Sequence, residues 1–481
     1  MSTHAAGDHD LSREILIPAL LVAPLALSLV YGGPQYMAGV AIMAMAGLLF
    51  LTNPRAFMLV FLVAIAMRDW VAGGDRIDVG FLTFDLGGLV NVLTTLIGVT
   101  YFLVLWRNPF RGRSLTWPYL MFLGAFSFSL FYAPSFRDGI RFVTRLAAPF
   151  VTYLIISDMM DKRMVRGVIR AMYASSIVPL AAGFFQLFTG TGNTDTVGYN
   201  RVFGCFNHPA LYSMYLLFIF CLAYSQFLDK RTSRKPLWAI YVALVVIQLL
   251  ATYTRISWIA FALCFGYLSW VYGRRRYVIV AVGLGVLLLP VLGEQVLDRL
   301  VEIEDALTAR DVTDRNNSVG WRLYYWTKLI EAWERQPLLG YGAGATIPFG
   351  RSLMGINISP HNGYLRVLYE AGAVGLSAFL WVLATMLRQA VRVLRQSKDD
   401  DIKLVAHIYI TMTVSYIVLN ATDNILEYYE IAIYNWGILS LVEYTNVVAA
   451  KRGLIDQESF EDVDDLDDDA VPVFDPLAEP A

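Results

Sequence analysis

The chain consists largely of apolar segments that are long enough, or nearly long enough, to cross a lipid bilayer. About fourteen of them follow one another between residues 15 and 448, and a helix of about 20 apolar residues spans the hydrocarbon core. Hydrophobic residues make up 57% of the 481 residues and charged residues 16%, unlike the composition of soluble domains. The sequence therefore predicts an all-α polytopic membrane helix bundle with about 12 to 14 transmembrane helices.

The predicted spans begin at recognisable changes from polar to apolar sequence. The segment from Ala56 to Met67 is short for a span, so a re-entrant segment is the alternative there, and the total number of spans can differ by two. The first apolar run has no small-residue cleavage site and predicts no cleaved signal peptide. The expected starting points are Ile15, Tyr36, Ala56, Leu86, Leu115, Phe142, Val165, Pro209, Pro236, Ile256, Tyr277, Gly363, Ile402 and Leu426.

Lysines and arginines are concentrated in alternate loops, which predicts the orientation of the chain in the membrane. Loops rich in positive charge face the cytoplasm, so both termini are expected inside and the long loop before His361 outside, in the periplasm of a cell with an outer membrane. The expected location is the bacterial inner membrane. The loops assigned to the cytoplasm contain Arg107, Arg111, Arg113, Lys162, Arg163, Arg166, Lys230, Arg231, Arg234, Lys235, Arg274, Arg275, Arg276, Arg388, Arg392, Arg395, Lys398 and Lys403.

We divide the chain into five parts: a tail over 1–14, a helix bundle over 15–293, an extracytoplasmic loop over 294–362, further membrane helices over 363–448 and an acidic tail over 449–481. The acidic tail is expected to be disordered and solvated. Its Asp-x-Asp spacings resemble those of metal-nucleotide sites, but such a site requires a rigid fold. The three cysteines indicate no disulfide framework, because Cys221 and Cys264 lie in predicted spans.

The long loop contains two predicted structural features. Aromatic and apolar residues recur at helical spacing between Ser318 and Trp333, which predicts an amphipathic helix at the membrane interface. The following segment, Pro337 to Gly344, contains three glycines and predicts a tight turn. A turn joining two helices is the favoured interpretation, and close backbone approach to an anionic ligand is the alternative.

Several unusual polar residues are predicted near the outer face of the membrane. They are Arg201, Arg255, Arg322, His361, Asp423 and Glu427. Each arginine alone can be explained as an interfacial charge, but Arg255 stands in a turn too short to leave the bilayer and is therefore a functional candidate. One guanidinium group can bind two phosphate oxygens at once, and a histidine can accept a proton from a sugar hydroxyl at neutral pH. Together these residues predict group transfer from a diphosphate-linked donor.

Two further groups of polar residues are candidates for binding the acceptor. Asp423 and Glu427 are predicted one turn apart on a helix, where they either bind acceptor hydroxyls or pair within the bundle. His208 precedes Pro209, and we predict a structural or acceptor-side role for it rather than that of the base.

Short motifs in the second half of the chain resemble those of a known family. The run His361-Asn362-Gly363-Tyr364-Leu365, followed by Glu370-Ala371-Gly372-Ala373-Val374-Gly375, is similar to the His-Asn-x-Tyr-Leu…Glu-x-Gly-x-x-Gly signature of the O-antigen ligase and Wzy-type polymerase superfamily. Four further segments resemble other family motifs in the expected order. They are the segment around Arg201, Thr254-Arg255, Arg322…Trp326 and Pro337-x-x-Gly340-x-Gly342. Ile256 departs from the glycine that often follows the arginine in the family.

The resemblance implies a metal-independent membrane glycosyltransferase of exopolysaccharide or O-antigen biosynthesis, without a cofactor. The expected donor is a glycan on undecaprenyl diphosphate, and the expected acceptor is a glycan or lipid hydroxyl. By resemblance, His361 activates the acceptor, and Arg255 and Arg322 hold the diphosphate. We further predict that Arg201 binds the diphosphate. The predicted acceptor-side or supporting residues are Asn362, Tyr364, Glu370, Asp423, Glu427 and His208, of which Asp423 and Glu427 lie beyond the shared motifs. Membrane lipids, a flippase and a chain-length regulator are further expected partners, whereas nucleic acid is not.

Three functions remain open from the sequence alone. A polymerase joins lipid-linked repeat units, whereas a ligase moves a finished glycan to lipid A core, a protein or another acceptor. A polysaccharide or small-molecule transporter is the alternative from another class, and it predicts broken helices in two corresponding halves with a polar site at mid-membrane. The polar cluster at one face, next to a single large loop, favours the enzyme.

Overall fold

The structure, a computed structural model, describes residues 45–72, 76–79, 82–104, 113–193, 200–283, 320–397 and 400–451. The predicted spans at Ile15 and Tyr36, the first part of the long loop and the acidic tail beyond Lys451 lie largely or wholly outside these ranges. The described chain is helical apart from one short hairpin, β1 (Arg76–Val79) and β2 (Leu82–Asp85), which pair antiparallel. This confirms the predicted helical membrane fold; the hairpin is an addition that the sequence did not indicate.

Residues 45–52 and 275–283 are helical, and fourteen further helices are labelled within the described ranges. They are α1 (Pro54–Ala64), α2 (Arg68–Ala72), α3 (Leu86–Val104), α4 (Thr116–Ser129), α5 (Phe136–Asp158), α6 (Lys162–Thr189), α7 (Pro209–Leu228), α8 (Lys235–Ala251), α9 (Arg255–Val271), α10 (Gly320–Trp333), α11 (Thr346–Met354), α12 (Gly363–Gln396), α13 (Asp400–Asn420) and α14 (Tyr429–Lys451). Short 3₁₀ turns cover Ile65–Met67, Leu130–Tyr132 and Ile425–Glu427.

Five of these helices, α5, α6, α7, α12 and α13, are long and apolar enough within the described residues to cross a membrane. The apolar parts of α3, α8 and α9 are shorter. Several boundaries confirm the sequence-based starting points to the residue, including Leu86, Pro209 and Gly363. The predicted interfacial helix before Trp333 is present as α10. The orientation of the bundle in the membrane remains a prediction from the positive charges.

Helix α7 lies at the centre of the bundle. Almost all its side chains are buried, and it packs against α8, α9 and α13. A helix that is apolar around its whole circumference must be covered on all sides, either by lipid or by other helices. Its N-terminus is set by Pro209 at the first helical position, where the missing N–H removes no helical hydrogen bond.

Helix α12 is broken near its N-terminus at Gly372. This residue has φ = 65° and ψ = −165°, and a Cβ atom there would collide with the backbone of Leu338. The break exposes backbone groups that the glycine-rich turn satisfies: Ala373 N–H donates to Pro337 O at 2.9 Å, and Tyr341 N–H donates to Tyr369 O at 2.8 Å. The predicted turn is therefore packed directly against the segment that follows His361.

Candidate functional site

The candidate site surrounds His361, the last residue but one before α12. The next residue, Asn362, caps the helix, since its side-chain oxygen accepts the Leu365 N–H at 3.0 Å. His361 has φ = 49°, in the left-handed region that non-glycine residues rarely adopt. Trp326 on α10 restrains the same segment, because its indole N–H donates to Pro360 O at 2.6 Å. The imidazole is thus held at a fixed junction between the loop and the membrane helix, where such backbone strain is a reason to suspect function.

His361 forms a pair with Asp423, which comes from the other side of the site. The His361 Nδ1–H donates to Asp423 Oδ1 at 3.2 Å, and the Asp423 residue is only 4% exposed. Burial alone would raise the pKa of Asp423, but the hydrogen bond and positive charge of His361, with His208 and the Asn424 N–H, lower that pKa to about 2. Asp423 is therefore ionised at neutral pH and selects the His361 tautomer in which Nε2 has the free lone pair.

The sequence-based placement of Asp423 and Glu427 on one helix is wrong. Helix α13 ends at Asn420, Asp423 lies in the following turn, and Glu427 closes a 3₁₀ turn. The Asp423 carboxylate accepts the Asn424 N–H at 2.7 Å, a local bond of the kind by which aspartate favours turns over helix. As a result the two carboxylates have different partners: Asp423 contacts His361, whereas Glu427 contacts Arg366 and Ser359.

Arg322 is close to this pair, on the first turn of α10. Its Nε atom is buried and forms no hydrogen bond with any described residue. Burial lowers the pKa of Arg322, and the nearby Asp423 and Tyr428 oppose that effect. The guanidinium carbon lies 5.5 Å from the centre of the Trp321 ring, and that ring meets the His361 imidazole edge-to-face at 5.5 Å. A buried guanidinium N–H without a protein acceptor is a candidate donor to a ligand.

Arg201 and Arg255 meet at the turn between α8 and α9. Arg201 Nε donates to Thr252 O at 2.9 Å and its Nη2 donates to Thr254 Oγ1 at 3.3 Å, immediately before Arg255. Arg255 opens α9, and Tyr253 in the same turn has φ = 49°. The structure thus places these two arginines beside each other, and Arg201 acts electrostatically on His208 together with Arg322 and His361.

His208 caps α7 rather than standing free. Its Nδ1 accepts the Ala210 N–H at 3.1 Å, which fixes the proton of the neutral ring on Nε2. Burial, together with Arg201, His361 and Arg322 and against the opposing effect of Asp423, lowers the pKa of His208 to about 4. The ring is therefore neutral at neutral pH and has no free lone pair in this tautomer. These contacts suit a structural role for His208, one of the two roles that we predict, and leave His361 as the better candidate base.

An ionic network lies next to the site and consists of Ser359, Arg366, Glu370 and Glu427. Arg366 Nε lies 3.2 Å from Glu370 Oε1, and its Nη1 donates to Glu427 Oε1. Ser359 Oγ donates to Glu427 Oε1 at 2.8 Å, two residues before His361. Glu370 in turn accepts the Gly344 N–H at 2.9 Å and bonds to Thr346. The network connects α12, the glycine-rich turn and the turn after α13, and so fixes the backbone on either side of His361.

Arg366 is 3% exposed, and its position in the network predicts a large contribution to the stability of the fold. Replacing Arg366 with glutamine leaves two carboxylates without their buried cation, so we expect the free energy of unfolding to fall by about 3–5 kcal/mol. Thermal unfolding of the purified protein in detergent measures the change. Lys328→Gln, which breaks the exposed pair with Glu331, is the control and should leave the midpoint unchanged. Equal midpoints for the two variants would refute the supporting role of the network.

The remaining predicted residues lie within this region but play structural parts. The Tyr364 hydroxyl donates to Ile417 O at 2.9 Å and joins α12 to α13. Glu370 is fully buried and belongs to the network. The sequence interpretation missed Arg366, although an arginine in an apolar run four residues before a glutamate is a detectable signal. In the described part of the chain, no group of histidine, cysteine and acidic side chains could hold a metal ion.

Comparison with known proteins supports the resemblance found in the motifs. A family model described as O-Antigen ligase matches residues 240–380. The matched segment includes Arg255, Arg322, His361 and Glu370, whereas Arg201, His208, Asp423 and Glu427 lie outside it. No curated protein matches the chain. Over residues 240–380 the chain is therefore similar to the O-antigen ligase/Wzy superfamily.

Proposed function

We propose that this protein is a glycosyltransferase that moves a glycan from undecaprenyl diphosphate to an acceptor hydroxyl outside the cytoplasmic membrane. The observation that carries the proposal is the His361–Asp423 pair beside the buried, unpaired Nε of Arg322. The pair supplies a base with a free Nε2, and the arginine supplies a donor for an anion. A proton acceptor next to an anion site is the arrangement that transfer from a diphosphate donor requires.

In the proposed reaction His361 Nε2 removes the proton from the acceptor hydroxyl. The hydroxyl oxygen attacks the anomeric carbon of the donor glycan and forms the new glycosidic bond. The bond between that carbon and the diphosphate oxygen breaks, its electron pair leaves with undecaprenyl diphosphate, and inversion at the anomeric carbon is expected. Asp423 stabilises the imidazolium that forms, and the proton then passes from His361 to solvent or to the leaving group.

In the second part of the reaction the arginines stabilise the leaving diphosphate. Negative charge develops on the diphosphate as the glycosidic bond breaks, and a guanidinium remains charged at any working pH. Arg322 lies on the His361 side of the site, whereas Arg201 and Arg255 lie together at the α8–α9 turn. We propose that these two positions hold the two phosphate groups. In this mechanism neither a metal nor a cofactor takes part.

The structure offers less support for the transporter alternative. Helix α12 is broken, as the helices of many transporters are, but its freed backbone groups bond to the chain's own glycine-rich turn. A transporter of this type leaves such groups for the transported ligand. The polar residues also gather around one end of α12 and α13, which suits an enzyme that acts at a membrane face.

The lipid-linked glycan pool distinguishes the remaining functions. We expect cells that lack this protein to accumulate glycan on undecaprenyl diphosphate, and wild-type protein to clear it. Mass spectrometry of the extracted lipid gives the glycan length. Single repeat units indicate a polymerase, and long chains still on the carrier indicate a ligase.

The two outcomes share one control. Cells that express His361→Ala at the wild-type level should retain the accumulated pool, because the protein inserts but does not transfer. An unchanged pool in cells that lack the protein would contradict the proposed donor and favour the transporter.

A further inference from the structure

A cavity lies at the end of the bundle opposite to His361, between α4 and the C-terminal part of α12. Its volume is about 690 Å³, within the usual range for pockets that take small ligands. Three arginines of α12 line it: Arg388, Arg392 and Arg395. The positive charges in the flanking loops predict that this end faces the cytoplasm. The cavity is too distant from His361 to belong to the proposed transfer site, since the length of α12 lies between them.

The side chains described as lining the cavity give it a positive charge. No aspartate or glutamate is among the described residues that line it. Glu443 touches the wall at Ser114, but its two oxygens accept the Ser114 N–H at 3.0 Å and the Tyr153 hydroxyl at 2.7 Å. Within the described chain Arg388 and Arg395 form neither an ion pair nor a hydrogen bond, whereas Arg392 bonds to Gln396 at 2.9 Å and has a further contact. The cavity is therefore suited to an anion.

Exposed apolar side chains continue from the cavity along the same two helices, and we call the strip that they border the apolar groove. On α4 its exposed side chains are Trp117 (64%), Met121 (56%) and Phe128 (54%), and on α12 they are Trp381 (46%) and Val374 (48%). Each set lies on one face at helical spacing. The tryptophans border the cavity itself, at the level where such rings favour the membrane interface. An anion site above an apolar groove matches the two parts of a phospholipid.

We propose that this cavity binds the headgroup of an anionic phospholipid of the cytoplasmic leaflet, with an acyl chain in the groove between α4 and α12. Basic pockets between membrane helices on the cytoplasmic side are suited to such headgroups. The arginines hold the phosphate, and Trp117 and Trp381 bracket the glycerol region. This inference does not depend on the proposed transfer reaction.

The chain contains one other candidate occupant of the cavity, its own acidic tail. The tail can neutralise the arginines, but an acidic segment does not account for the exposed apolar side chains of α4 and α12 next to them. The groove also lies where lipid is present at high local concentration. These observations favour the phospholipid, and the experiment distinguishes the two.

The test compares two double variants of the full-length protein. Arg388→Gln/Arg395→Gln removes two charges from the cavity, and Arg275→Gln/Arg276→Gln removes two exposed charges from the same predicted side, outside the cavity. Native mass spectrometry of protein in detergent, titrated with phosphatidylglycerol and with phosphatidylcholine, measures the binding. We expect the cavity variant to bind phosphatidylglycerol about 25-fold more weakly, at about fivefold for each of the two arginines, and the control to bind like wild type.

Two outcomes would overturn the proposal. Equal losses in both double variants, or a loss in neither, would show that the cavity is not a specific lipid site. Neutralising the tail by Asp467→Asn/Asp468→Asn/Asp469→Asn in the full-length chain provides the third arm. If this change raises phosphatidylglycerol binding about as strongly as the loss of the arginines lowers it, the tail is the occupant and the lipid proposal fails. Unchanged binding in this arm supports the lipid.

Discussion

Replacing His361 with alanine is expected to abolish glycan transfer while the protein still inserts into the membrane. The imidazole is the proposed proton acceptor, and general-base catalysis of this kind contributes about 10²- to 10⁴-fold to a rate. Its side chain is 24% exposed and belongs to none of the described helices, and we expect the protein to fold without it; protein abundance in the membrane checks this. The measurement is the initial rate of transfer with purified protein and lipid-linked donor.

His407→Ala is the matched control for this substitution. His407 bonds to the Tyr267 hydroxyl at 2.8 Å, away from the site, and its removal should leave the rate near that of wild type. Near-wild-type transfer by His361→Ala, at normal protein abundance, would sink the general-base assignment.

A substitution of Asp423, the partner of His361, tests the same proposed base. Asp423→Asn keeps the size of the side chain but removes the charge that stabilises the imidazolium, so we expect at least about a tenfold lower rate. Because its pKa is near 2, Asp423 itself should not titrate within the working range of the enzyme. The lowered pKa of Asp423 also stabilises the folded protein, because the ionised carboxylate is favoured in the fold. This stabilisation is complete above about pH 4 and is lost as the pH falls through about 2, where the carboxylate takes up a proton.

Replacing Arg322 with lysine is expected to lower the rate of transfer by about 10²- to 10³-fold. The effect should fall mainly on kcat, because a donor aimed at developing charge acts chiefly in the transition state. Lysine retains the positive charge but not the planar pair of N–H donors, so the substitution separates geometry from charge. Steady-state kinetics with varied donor concentration provides kcat and KM.

Arg351→Lys is the control for Arg322→Lys. Arg351 belongs to the same loop region, on α11, but bonds to Asn357 at 2.6 Å and is exposed. It should therefore tolerate the change. Arg255→Lys is expected to act in the same direction as Arg322→Lys, since both belong to the proposed diphosphate site. If Arg322→Lys instead retained full kcat with an increased KM, the arginine would anchor the donor without stabilising the leaving group.

Helix starts were the most predictable part of this fold. The N-termini of α7 and α12 follow from Pro209 and from the capping Asn362, since the interactions that set them lie within one helical turn. The break at Gly372 was not predictable, because the apolar sequence continues through it and its partners come from the turn near Leu338. For the same reason Asp423 and Glu427 were placed on one helix although their tertiary partners separate them.

The sequence by itself determined that the chain is a helical membrane protein, which residues bear its unusual polar groups and which family its motifs resemble. These properties depend on composition and on short-range order, since a bilayer requires apolar helices whatever their arrangement. Only the tertiary structure decided that His361 pairs with Asp423, 62 residues away, and that Arg366 joins α12 to the turn at Glu427. Such contacts depend on how the helices pack side by side, and no local pattern of residues specifies that packing.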